Sequence, residues 1–132
     1  MRRLLLPLLA LFLFAAAPLR ADTFEDAVEA MIRGDYATAA KLLQPLAERG
    51  NADAQYSLGG LHEMGKGVPQ NYVRAYMWYT LAAAKGDIDS VNARNEITDK
   101  MTPAQLEEAK RLAREWKPNM SDVGATDTDL AS

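Results

Sequence analysis

Three stretches of the chain carry residues that could do chemistry. They are the pair His62-Glu63, the run Gly65-Lys66-Gly67, and the aromatic series Tyr72, Tyr76, Trp78 and Tyr79 with Tyr56 upstream. His62 is the sole histidine and the chain has no cysteine. A two-histidine metal site, a thiolate metal site and a thiol nucleophile are therefore excluded. Successive helical residues point about 100° apart, so His62 and Glu63 do not form an acid–base dyad by construction. A lone histidine between helices reads as a packing residue. A P-loop needs a longer glycine spacing, a Lys followed by Ser or Thr, and a strand before a helix. "MGKGVP" has none of these and reads as a turn. Ser57, Ser90, Ser121 and Ser132 lack a nucleophile-elbow context. No catalytic residue, cofactor site or metal site is expected. Trp78 reads as buried payload among alanines. Tyr56, Tyr72 and Tyr76 are expected to reach a surface with their hydroxyls in water.

The elements that would position these residues follow a leader. Arg2 and Arg3 precede an apolar run from Leu4 to Ala17, broken only by Pro7, and small Ala21 follows. That order is a secretory signal peptide over residues 1–21, with cleavage after Ala21. The run is shorter than the roughly 20 apolar residues of a membrane span. No stable membrane insertion is expected once it is removed, and the product is periplasmic or secreted. The alternative is an uncleaved N-terminal anchor. Loss of Arg2, Arg3 and Arg20 takes the formal charge from −3 to −6. So acidic a domain, with no basic stripe, speaks against nucleic acid as partner. Without disulfides an exported domain must stand on packing alone.

The chain repeats. "DYATAAKLLQPLAERGNAD" from Asp35 and "NYVRAYMWYTLAAAKGDID" from Asn71 align at an offset of 36. Tyr36 falls on Tyr72, Ala39 on Ala75, Ala47 on Ala83, Gly50 on Gly86 and Asp53 on Asp89. A period of this length marks a solenoid of supersecondary units.

Each unit reads as helices. Thr23 caps a helix over about 24–33, and Asp35 caps one closed by Gly50, with Pro45 inside it expected to kink or lengthen the turn locally. Asp53 is read as the cap of the next helix, where Ala54, Leu58, Leu61 and His62 share a face before Gly65 and Gly67. Asn71 caps a helix to about Lys85, a further helix covers about 90–100, and "MTPAQLEEAKRLAREWKP" carries a capping box with Pro103 at the first helical position. The expected fold is all-α, about six helices in three antiparallel pairs over residues 22–118. Residues 119–132 are read as a disordered tail.

"ADAQYSLGGLHEMGKGVPQNYVRAYMWYTLAAAKGD" resembles one full unit of the Sel-one-like repeat, a helical-hairpin solenoid family related to tetratricopeptide repeats. The resemblance rests on Ala54, Leu58, Gly59, Gly65, Gly67, Val68, Tyr72, Ala75, Trp78, Tyr79, Ala82, Ala83 and Gly86. The best unit is 51–86; residues 27–50 resemble a shortened unit before it and 87–118 a degenerate closing one. The resemblance implies a right-handed superhelical solenoid and an interaction module for a protein or peptide, with self-association possible. By analogy with tetratricopeptide arrays, the first helix of each unit lines the concave side. That names Asp53, Tyr56, Gly60 and Glu63 as partner-binding residues. The alternative is a cell-wall-associated binding protein or weak β-lactam hydrolase, like cysteine-rich members of the family. This chain lacks their cysteines and an identifiable nucleophile.

Overall fold

The computed structural model describes residues 22–121. The leader and all of the tail beyond Ser121 lie outside the described residues. Six α-helices follow one another: α1 (Phe24–Ile32), α2 (Tyr36–Glu48), α3 (Ala52–Met64), α4 (Tyr72–Ala83), α5 (Ile88–Ile97) and α6 (Pro103–Glu115), with a 3₁₀ turn at Thr98–Lys100. The described residues contain no strand.

The repeat is visible in where helices start. α2 and α4 begin 36 residues apart, at Tyr36 and Tyr72, and so do α3 and α5, at Ala52 and Ile88. Their caps keep the same register. Asp35 and Asn71 accept from the backbone N–H of Thr38 and Arg74. Asn51 and Asp87 stand at the other pair of starts. This corrects one expectation. Asn51, not Asp53, caps α3, its side chain accepting from the Ala54 N–H at 2.9 Å. Asn51 sits one residue after Gly50, whose positive φ of 99° turns the chain out of α2, so the new helix starts sooner than the aspartate. Thr23 and Thr102 form capping boxes with Asp26 and Gln105. α2 continues through Pro45 to Glu48.

α1 packs on α2, α2 on α3, α3 on α4, and both α5 and α6 pack on α4. The central helix is therefore enclosed. Ala75, Tyr76, Met77, Trp78, Tyr79 and Ala82 are all buried, the all-round burial expected of a core helix. Met77 and Trp78 join a core with Ala27, Ala39, Leu43, Leu58 and Leu61. Ala75, Tyr76 and Tyr79 join a second core with Ile97 and Ala109. Tyr76 was expected at a surface; the closing helices α5 and α6 cover it, leaving it 8% exposed. Trp78 is buried at 2% exposure. After α6 the chain returns to α2, where the Asn119 N–H donates to the Glu48 carbonyl at 2.8 Å.

Two glycines explain how closely the helices approach, one within a unit and one between units. A Cβ on Gly59 would stand 2.7 Å from the Tyr79 ring and 3.4 Å from the Ala75 carbonyl oxygen. At Gly67, φ is +71° and a Cβ would fall 2.1 Å from the Tyr36 carbonyl oxygen. The α3–α4 turn is thus pressed against the backbone at the start of α2, a contact between units that composition does not reveal.

Candidate functional site

A groove of about 380 Å³ opens on the side of α3 where α1 and α4 meet it. Tyr56, Gly60 and Glu63 line it, at helical spacing on α3. These are three of the four residues named from sequence. Asp53 is exposed and lies outside the lining.

The other walls come from residues the sequence did not single out as site residues: Met31 of α1, Tyr36 of α2, and Met64 and Lys66 at the end of α3. Lys66 was read only as part of a turn. Its ammonium stands over the Tyr36 ring, 4.9 Å from the centroid, a cation–π contact that fixes the groove's edge. For Met64 alone a signal exists in the sequence: it is an apolar residue at the very end of α3, just before Gly65.

Tyr79 is the side chain that organises the wall. It lies against Tyr56 with ring centroids 5.8 Å apart and planes tilted by 41°. Its hydroxyl donates to Glu63 Oε2 at 2.7 Å. Lys100, from the turn after α5, donates to Glu63 Oε1 at 3.3 Å. Glu63 therefore joins α3, α4 and the 3₁₀ turn after α5, and its charge is partly answered. Burial, reinforced by the carboxylate it serves, pushes the Tyr79 phenol well above the usual range, so it stays a donor at any ordinary pH. Burial also raises Tyr56, followed by the fields of Asp89, Asp87, Glu63 and Glu96.

His62 lies beside the groove, not in it. It is 8% exposed. Burial first, then the Arg74 guanidinium, hold it below its ordinary value of 6.5, with the Pro69 carbonyl opposing. Its backbone carbonyl accepts from the Asn71 N–H at 2.9 Å and so ties the end of α3 to the cap of α4. Gln55, also buried, donates from Nε2 to the Ala47 carbonyl at 3.1 Å and so joins α3 to the last turn of α2. Among the described residues no group of His, Asp and Glu could hold a metal ion. None of the described helices is long and apolar enough to cross a membrane.

The exposed large apolar residues are not scattered. Ile32 lies on α1, Tyr56 and Met64 on α3, and Ile88 on α5, at 79, 38, 55 and 69% exposure; Met120 is the exception. The odd-numbered helices α1, α3 and α5 carry them, while α2, α4 and α6 carry none.

A stack of helices with a 36-residue register and an apolar-rimmed groove defines a helical-repeat protein. The Sel1 repeat model matches residues 28–51 and 52–87, so these two units are Sel1 repeats and support a Sel1-like repeat protein. The first match runs from within α1 through α2, and the second covers α3 with α4. Sel1 repeats generally mediate protein–protein interaction. No curated protein matches the chain.

Proposed function

We propose that this protein is an exported, non-catalytic adaptor of the cell envelope that holds a protein or peptide partner in the α3 groove. Export rests on the leader formed by Arg2, Arg3 and the Leu4–Ala17 apolar run. Binding rests above all on Gly60. A glycine inside a helix costs about 1 kcal/mol relative to alanine. Gly59 has a packing reason for that cost, because Tyr79 and the Ala75 carbonyl occupy the space. Gly60 does not. A Cβ there would meet nothing closer than the Tyr79 hydroxyl oxygen at 3.7 Å, an ordinary contact. What the missing side chain provides is open floor in the groove, between Tyr56 and Met64. Apolar surface gathered at such a groove is what a partner interface presents.

Gly60 also supplies the test. Gly60→Ala should keep or raise the melting temperature, and Gly60→Leu should remain folded while filling the floor. Cross-linking in intact cells should capture a partner with the wild-type and Gly60→Ala proteins and lose it with Gly60→Leu. Equal capture by a folded Gly60→Leu protein would reject the groove. Charge reversal at Glu63 is a poorer probe, since it would also break the bonds to Tyr79 and Lys100.

A further inference from the structure

Resting on that reading of the groove, we propose that its occupant is a cationic segment: an apolar anchor flanked by lysine or arginine. Charge in this molecule is sorted by helix. α1 carries Glu25, Asp26 and Glu29 with no cation, and α3 carries Asp53 and Glu63 with none but neutral His62. α5 adds Asp89 and Glu96 against Arg94, with Asp87 at its start. The even-numbered helices differ. α2 balances Lys41 and Glu48, α4 has only Arg74, and α6 pairs its acids with its own bases at helical spacing. The layer that exposes Ile32, Tyr56, Met64 and Ile88 is therefore the acidic layer.

Within that layer the free charge is close to the groove. Glu63 is engaged by Tyr79 and Lys100, and the groove's own cation, Lys66, is engaged on the Tyr36 ring. Asp89 and Glu96 are exposed and form no ion pair among the described residues. Both, with Asp87 and Glu63, lie near enough to act on the Tyr56 hydroxyl. A cation placed over the Tyr56 ring would gain from the ring face and from these carboxylates together. Met31, Met64 and the tyrosine rings offer the adaptable apolar wall that an aliphatic or aromatic anchor needs.

Once the leader with Arg2, Arg3 and Arg20 is removed, the same charges argue against the chain itself as occupant. A second copy docking through the same layer would bring an equally acidic face. The chain after Ser121 contributes Asp122, Asp127 and Asp129 and no lysine or arginine.

Three peptide series with one shared leucine-phenylalanine anchor decide the matter, flanked by Lys/Arg, by Asp/Glu, or by Ser/Gln. Each is titrated by fluorescence anisotropy against the protein as isolated from cells. Amide shift mapping locates the site. The cationic series should bind at least about tenfold more tightly than the others, weaken as salt rises from about 0.05 M to 0.5 M, and shift Tyr56, Gly60 and Met64. Asp89→Lys with Glu96→Lys, both exposed, should cost the cationic series about tenfold and leave the neutral one unchanged. Equal binding of all series at the groove would overturn the cationic partner and leave the groove reading intact. Cationic binding mapped to α6 or α2 would overturn the location. No binding by any series, with the fold intact, would overturn both.

Discussion

The residue that most rewards a pH measurement is His62. Its burial and the nearby Arg74 guanidinium disfavour the charged imidazolium in the folded state, so its folded value lies below the unfolded one. The unfolded chain therefore binds the proton first as pH falls. Stability attributable to His62 is full above about pH 6.5 and declines as pH drops below it. One proton limits the slope to about 1.4 kcal/mol per pH unit. Denaturant midpoints between about pH 7.5 and 5 should fall for the wild type, and the fall should be shallower for His62→Gln. Parallel profiles would show that the imidazole is not held neutral by its surroundings. The core position of Trp78 was readable from sequence; of the residues named there as partner-binding, Tyr56, Gly60 and Glu63 line one groove and Asp53 does not. Tyr76 was not readable, because its exposure depends on where α5 and α6 come to rest, and nothing in its own helix records that.

At the scale of elements, the turn between α3 and α4 is the tightest joint. Gly67 combines a left-handed φ of 71° with backbone already in the place of a Cβ. Gly86 shares the conformation, at 94°, but a Cβ there would meet nothing within 4 Å. The two glycines separate conformational strain from steric contact. Gly86→Ala should cost about 1 kcal/mol, the strain alone. Gly67→Ala should cost about 3 kcal/mol or more, since the Tyr36 carbonyl cannot rotate away as a side chain would. Equal losses in chemical denaturation would mean that the turn does not press on α2. Helix number, order and most bounds followed from caps and glycines. The miss at α3 has a simple cause. Asp53 and Asn51 are both good caps, and the glycine that ends α2 decides in favour of the nearer one. The repeat glycines looked alike in sequence. Only packing between units distinguishes Gly67, which touches a neighbouring helix, from Gly86, which does not.

Across the whole molecule, composition is divided between two layers. The odd-numbered helices carry the exposed apolar residues and the unpaired Asp89 and Glu96, while α2 carries one charge of each sign, α6 pairs its charges and α4 is buried around Trp78. The Sel1 match ends at residue 87, yet α5 and α6 continue the stack by packing on α4. They close one core and set Asp89 and Glu96 near the groove. An overall charge of −3 hid this division, because the sequence shows how many acids there are and only the helix stack shows which face shares them. The central claim is that partners are held on the layer of odd-numbered helices. Its most direct measurement is site-resolved photo-cross-linking in intact cells, with the reactive residue placed at Tyr56 on α3 or at Arg111 on the outer face of α6. The account predicts one protein adduct from position 56, lost when Gly60→Leu is added, and none from position 111. The same adduct from position 111, or its survival with the groove filled, would contradict it.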